Sequence, residues 1–174
     1  MGRFYLPPLT CYFFPVRILG IDPGYERLGL AIVDGDGRGG GRWVWSSTAK
    51  TDKSLPHHER LLQVRQSVAA AIAEHRPGAV AVEQLFLTNN QKTAMPVAEA
   101  RGVILAESSA AGVLVFEYGP NQVKLAVGGS GRAEKKAVEK MARMLAGIGD
   151  KKMGDDEADA VAVALTCLAR ERFR

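Results

Sequence analysis

The sequence has 174 residues and a formal net charge of +4; 47% of its residues are hydrophobic and 24% are charged, the composition of one compact domain. Only Cys11 and Cys167 are present, which excludes a disulfide framework and a zinc ligand set. No apolar run approaches the roughly 18 residues of a membrane span, and the first residues, interrupted by three prolines, lack the cleavage site of a signal peptide.

We therefore expect one domain over residues 16–174, located in the cytoplasm and not in a membrane. Positive charge is concentrated late in this domain. Residues 118–152 contain eight Lys and Arg against three Asp and Glu, whereas residues 153–174 contain five acids against three bases. A basic stretch followed by an acidic cluster suits a protein that holds a polyanion and performs metal chemistry beside it. A solvated helix face explains the basic stretch equally well at this point.

The elements in chain order predict an α/β fold. Three strand-like runs come first, and turn signals at Pro23-Gly24 and around Gly35 separate them. The predicted elements that follow are a helix over 56–75, a strand over 79–82, a helix over 91–111, a strand over 113–118, and helices over 132–146 and 156–170. Three hairpin-linked strands followed by alternating helices and strands predict a five-stranded mixed sheet, its first three strands antiparallel, with helices on its faces.

Four carboxylates occupy positions that this topology can bring together. Asp22 ends the first strand and Glu83 follows the fourth, where a charge beside the core is costly unless it is ligated. Asp156 and Asp159 are three residues apart at the start of the last helix, so they project from one face. Because packed carboxylates repel each other, the pattern predicts divalent cations, and oxygen ligands alone favour Mg²⁺ or Mn²⁺.

Each acid also has a simpler explanation. Asp22 precedes a Pro-Gly turn, where Asp is common. Asp156 and Asp159 are favourable negative charges at a helix N-terminus. Glu83 is harder to dismiss because the strand before it has no polar residue. Asp155 leaves the register open, since Asp155 and Asp159, four residues apart, also share a helix face.

A glycine-rich loop with the sequence GGSG, residues 128–131, lies among basic residues. These are Lys124, Arg132, Lys135 and Lys136. The loop enters a predicted helix whose first N–H groups can meet phosphates, although no Gly-Lys-Ser/Thr follows and the loop is not a P-loop. A hairpin tip or a helix cap is the alternative, and the surrounding cations favour phosphate contact.

Five short motifs occur in order along the chain. They are ILGIDPG at 18–24, VEQLF at 82–86, EARG at 99–102, YGPNQVK at 118–124 and DEADA at 156–160. This ordered set resembles the RuvC family of Holliday junction resolvases over residues 17–168, nearly the whole chain. The IDPG opening alone is weaker, because it also occurs in YqgF-type ribonuclease H-like proteins.

The resemblance implies a ribonuclease H-like fold and an endodeoxyribonuclease that cuts two opposed strands of a four-way DNA junction. It implies two Mg²⁺ ions per active site, with Mn²⁺ as a substitute, and products with a 5′-phosphate and a 3′-hydroxyl. The catalytic carboxylates and metal ligands implied are Asp22, Glu83, Asp156 and Asp159. The family positions of Lys124 and Lys135 are basic and near the site, and Arg132 stands where many relatives have Lys.

The resemblance also implies partners. Phe86 is expected to stack on or wedge bases at the junction, with a core residue that caps the sheet as the alternative. The helix over 91–111 is apolar on more than one side, which fits burial in the homodimer that the family pattern indicates. The branch-migration complex RuvA-RuvB is a further expected partner.

Two other functions stay open from the sequence. One is a YqgF-like nuclease acting on ribosomal RNA precursors, because Tyr25, Glu26 and Arg27 after the Pro-Gly turn are closer to that type. The other is a catalytically silent junction-binding protein, against which the four intact acids argue. Residues 1–15 have no counterpart in the resemblance and are expected to be a disordered extension or a misassigned start.

Overall fold

The structure is a computed structural model that describes residues 16–38, 40–85 and 91–173. The expected N-terminal extension lies outside these residues. The strands are β1 (Arg17–Asp22), β2 (Arg27–Gly35), β3 (Gly41–Lys50), β4 (Ala79–Glu83) and β5 (Leu114–Tyr118). The helices are α1 (His57–His75), α2 (Gln91–Ala110), α3 (Pro120–Gly128), α4 (Lys135–Leu145) and α5 (Asp155–Arg170).

The five strands form one mixed sheet in the order β3-β2-β1-β4-β5. β1 pairs antiparallel with β2, and β2 pairs antiparallel with β3, whereas β4 is parallel to both β1 and β5. This arrangement confirms the predicted sheet, including the three antiparallel strands at its start. Because β1 and β4 are parallel neighbours, their carboxyl ends lie at the same edge of the sheet.

Alternation along the strands divides the core into two layers. Leu19 and Val80 pack on one face with helices α1 and α2. Ile18 and Ala79, one residue earlier in each strand, pack on the other face with helices α3, α4 and α5. α5 is the central helix of that layer, and residues 160–168 within it are all buried. No helix within the described ranges has both the length and the hydropathy needed to cross a membrane.

The sequence missed one helix and misplaced the start of another. α3 is only nine residues long, a length at which the apolar period is barely visible, yet Val123 and Val127 bury one of its faces. The side chain of Gln122 accepts a hydrogen bond from the Gly119 N–H at 2.8 Å and caps the helix start. Gly129, with φ of +73°, ends α3. α4 consequently begins at Lys135 and not at the predicted residue 132.

Two glycines allow α5 to approach the sheet closely. A Cβ atom added at Gly20 in β1 would lie 2.0 Å from the Ala160 carbonyl oxygen, and one added at Gly29 in β2 would lie 2.1 Å from the Asp156 carbonyl oxygen. Both distances are far inside van der Waals contact, so no other residue fits at these positions without moving the helix. The backbone of α5 therefore rests directly on β1 and β2.

Gly20→Ala is predicted to destabilise the protein by roughly 2–4 kcal/mol, because the new methyl group meets backbone and not a side chain that can rotate away. Chemical denaturation measures the change in the free energy of unfolding. Gly131→Ala is the matched control, since a Cβ atom there would have its nearest neighbour at 3.7 Å. Equal stability of the two variants would contradict the close approach of α5.

Candidate active site

Asp22 and Glu83 are the last residues of β1 and β4, which lie side by side. The two strands are in parallel register, with Ile21 opposite Val82, so the acids that follow these residues emerge together. Both lie on the sheet face that α5 covers, because they continue the alternation of Ile18 and Ala79. The two strand-end acids predicted from the sequence are therefore neighbours.

The first turn of α5 brings the other two acids to the same edge of the sheet. Gly29, whose Cα is opposite that of Asp22 in the β1–β2 ladder, lies against the Asp156 backbone. Asp159 follows one helical turn later on the same face. The charges of Asp159 and Asp156 both contribute to the raised pKa of Asp22, after burial and the charge of Glu83, so these acids lie within electrostatic reach of Asp22.

Burial and mutual repulsion favour protonation of the two strand-end acids. Burial is the main cause that raises the pKa of Asp22 to about 7, and the negative charges of Glu83, Asp159 and Asp156 contribute to the same rise. Burial, followed by the charge of Asp159, likewise raises the pKa of Glu83 to about 7. Two carboxyl groups that resist ionisation at neutral pH are typical of a site that requires positive charge.

Two lysines predicted to hold phosphate lie beside the acids. Lys135, the first residue of α4, donates a hydrogen bond from Nζ to Asp159 Oδ2 at 2.7 Å. This hydrogen bond is the main cause of a raised pKa for the Lys135 ammonium group. The charges of Lys135 and Lys124 both oppose the upward shift of the Glu83 pKa. Lys135 and Lys124 are thus in electrostatic reach of the carboxylates.

Arg27, the first residue of β2, is a member of the cluster that the sequence analysis did not include. Its Nε and Nη2 atoms lie 2.7 and 2.6 Å from Asp156 Oδ2. Arg27 is two residues before Gly29, so the two point to the same face of the strand, the one on which α5 rests. That spacing is visible in the sequence, but it is informative only once α5 is known to lie there.

The other predicted DNA contacts on the basic segment are exposed. Arg132 and Lys136 are exposed, and neither forms an ion pair with an acid in the part of the chain that the structure describes. The GGSG segment ends α3 and leads through a turn toward α4, where the Ala133 N–H donates to the Ser130 carbonyl at 3.0 Å. Phe86 lies outside the described residues.

The structure distinguishes between Asp155 and Asp156, either of which could belong to the acid cluster on sequence grounds. Asp155 is exposed, and its charge contributes to the raised pKa of Lys135. Asp156 is partly buried, faces Arg27 and contributes to the raised pKa of Asp22. The geometry therefore favours Asp156 as the member of the cluster.

The donor set fits a hard divalent cation. All four acids offer carboxylate oxygens, and a cation among them would favour the ionised forms of Asp22 and Glu83, which burial and then mutual repulsion disfavour. The side chains of Asp156 and Asp159 are turned to Arg27 and Lys135 instead. In this orientation, no three His, Cys, Asp or Glu side chains of the described ranges are grouped to hold an ion.

Comparison with known proteins identifies the same family that the motifs indicate. Residues 18–167 match the family model described as crossover junction endodeoxyribonuclease RuvC. The protein of that name from Brevibacillus brevis is 41% identical to this chain, over 87% of this chain and 90% of the relative. The one from Syntrophomonas wolfei is also 41% identical, over 91% of each. The structure is similar to Thermus thermophilus RuvC in complex with Holliday junction substrate, with a TM-score of 0.81 and 37% identity. The match covers 87% of this chain and 92% of the Thermus thermophilus chain. The expected ribonuclease H-like fold is confirmed.

Asp22→Asn is predicted to stabilise the protein in EDTA by roughly 1–3 kcal/mol at pH 8 and by almost nothing near pH 3.5. An unfolded chain releases the Asp22 proton near pH 4, whereas the folded protein retains it until about pH 7, so the wild type loses stability as the pH rises through this interval. The variant lacks that loss.

Denaturation at several pH values between 3.5 and 8 measures this difference. Asp150→Asn makes the same chemical change at an exposed position and should leave the pH dependence of stability as it is in the wild type. A stability gain for Asp22→Asn that is the same at both ends of the pH range would contradict the electrostatic origin of the shift.

Proposed function

The chain belongs to the RuvC family of crossover junction endodeoxyribonucleases, and from this premise we propose that it resolves four-way DNA junctions by hydrolysing one phosphodiester bond in each of two opposed strands. The observation that carries the proposal is the convergence of Asp22, Glu83, Asp156 and Asp159 beside Lys124 and Lys135. The similarity to a protein solved with Holliday junction substrate supports the choice of DNA.

We propose that the four acids hold Mg²⁺, two ions per active site, and that Mn²⁺ can replace it. Bound divalent cations lower the pKa of the attacking water and stabilise the charge that develops on the scissile phosphate. Asp22 is the most central of the acids, because the charges of all three others act on its carboxyl group. Asp22 would therefore help to hold both cations.

The acids have the correct charge to attract cations only when they are ionised. Burial and mutual repulsion oppose ionisation of Asp22 and Glu83, and positive charge nearby favours it. Lys135 supplies part of this charge, since it lowers the pKa of both groups. Lys135 is thus assigned two tasks, to favour the ionised form of the acids and to hold a DNA phosphate at the edge of the site.

The remaining basic residues extend this surface. Lys124 lies on α3 close enough to act on Glu83, while Arg132 and Lys136 are exposed on either side of the start of α4. Contacts from such residues to the phosphate backbone position a nucleic acid without reading its sequence. Selection among DNA substrates would then depend on the shape of the junction.

Symmetric cutting requires two active sites, and we propose that a homodimer provides them. α2 packs one side on the core through Ala100 and Ile104, whereas Met95 is 65% exposed and Gly102 is open to solvent. An exposed large apolar side chain on a helix of small residues is suited to packing against a second copy. The branch-migration complex RuvA-RuvB remains a predicted partner, for which the support is the resemblance.

Purified protein with Mg²⁺ is predicted to nick a synthetic four-way junction at paired, symmetric positions and to leave linear duplex of the same sequence largely intact. Denaturing gels of end-labelled strands locate the cuts, and direct ligation of the nicks tests for a 5′-phosphate and a 3′-hydroxyl. Equal activity on junction and duplex would contradict junction selectivity. A protein that binds the junction without cutting it would support the silent binding function instead.

Asp156→Asn is predicted to reduce the cleavage rate about 100-fold or more, because a lost metal ligand removes several kcal/mol of transition-state stabilisation. Asp155→Asn is the matched control, and its rate should stay within a few-fold of wild type, since Asp155 is exposed beside the cluster. Single-turnover cleavage of pre-bound junction measures both rates. A greater loss for Asp155→Asn would assign the ligand to the other register.

A further inference from the structure

Arg27 binds one oxygen of an acid that the proposed function requires for metal. Both of its contacting nitrogens meet Asp156 Oδ2, at 2.7 Å for Nε and 2.6 Å for Nη2. The Asp156 side chain is 22% exposed and the Arg27 side chain 54% exposed. Arg27 thus reaches from solvent to a partly buried carboxylate, and this position leaves the guanidinium free to contact other anions.

Positively charged side chains already lie beside the carboxylates at this edge of the sheet. Four carboxylates face three side-chain cations, namely Arg27 on Asp156, Lys135 on Asp159, and Lys124 close to Glu83. Each pair of opposite charges offsets repulsion that a divalent cation would otherwise relieve. A cation that binds at Asp156 must therefore compete with Arg27 for the same carboxylate.

We propose that Arg27 is a counter-ion that holds Asp156 until DNA binds, and that it then exchanges this carboxylate for a phosphate of the junction. The proposal rests on the proposed function of the site. Guanidinium groups form charge-assisted hydrogen bonds to phosphate oxygens as they do to carboxylate oxygens, so the exchange replaces one anionic partner by another. It frees Asp156 for a divalent cation when the substrate is in place.

Such an exchange couples the binding of metal and DNA. DNA raises the affinity for the divalent cation by removing the competing guanidinium, and by thermodynamic linkage the cation raises the affinity for DNA by the same factor. Arg27 is a positioning residue in this scheme, since it acts through Asp156. Its effect is to keep the metal centre incomplete on protein that has not bound a junction.

Mn²⁺ binding to the DNA-free protein, measured by titration calorimetry, tests the competition. Arg27→Gln is expected to bind Mn²⁺ about 3- to 10-fold more tightly than wild type, as loss of one partly screened charge pair predicts. Arg27→Lys retains the charge and should stay within about 2-fold of wild type. An affinity of Arg27→Gln equal to wild type would overturn the proposal, because it would show that Arg27 does not compete with the metal. A weaker affinity would also overturn it, because it would show that Arg27 orients Asp156 for the metal.

The second arm measures the coupling as a change in junction affinity. Fluorescence anisotropy gives the affinity with and without Ca²⁺, and gels verify that the junction remains intact. Ca²⁺ should increase the affinity of wild type for the junction by a larger factor than that of Arg27→Gln. Arg42→Gln is the matched control: it removes an exposed arginine that lies 3.8 Å from Asp34 at the opposite end of the sheet, and should match wild type in both arms.

The outcomes separate this proposal from the proposed function. If Arg27→Gln binds Mn²⁺ more tightly but the wild-type protein never cuts junctions, the counter-ion role of Arg27 is supported and the proposed junction cleavage is rejected. If the wild type cuts junctions but the coupling is identical in wild type and Arg27→Gln, the proposed junction cleavage is supported and the counter-ion role of Arg27 is rejected. Thermal melting of all variants within a few degrees of wild type verifies that the fold is intact, and Arg27→Met, which also removes the charge and should also tighten Mn²⁺ binding, serves if Arg27→Gln does not fold.

Discussion

The contact of the α5 backbone with β1 and β2 is the constraint on which the site depends. Gly20 and Gly29 allow it, because a side chain at either position would collide with a carbonyl oxygen of the helix. The close approach puts the first turn of α5 beside the end of β1, and so places Asp156 and Asp159 within electrostatic reach of Asp22. A helix displaced outward to make room for a methyl group at either glycine would move Asp156 and Asp159 away from Asp22.

The cluster formed in this way is electrostatically unfavourable by itself. Burial and repulsion raise the pKa values of Asp22 and Glu83 to about 7, so the fold bears a cost that an ordinary surface would avoid. Arg27 and Lys135 offset part of it through short ion pairs with Asp156 and Asp159. The same cations that stabilise the acids are correctly charged to hold a DNA backbone, which links the stability of the site to its proposed substrate.

The two-layer architecture keeps this chemistry on one side of the molecule. Alternation along β1 and β4 directs Leu19 and Val80 to the layer of α1 and α2, and directs Asp22 and Glu83 to the layer of α5. α3 and α4 belong to the second layer, so Lys124 and Lys135 approach from the face that holds the acids. One sheet edge thus combines the acids, the basic helices and the start of α5.

The sequence by itself determined the family, the order of the five strands and of four of the five helices, and the strand-end positions of Asp22 and Glu83, since motif order, strand period and strand-end carboxylates are local patterns. It did not determine α3, whose nine residues are too few for a clear period, or the start of α4. Only the tertiary structure decided that Asp156 and not Asp155 faces Asp22, and that Arg27 binds Asp156. Those relations join residues more than 100 positions apart, and they depend on how closely one helix rests on two glycines.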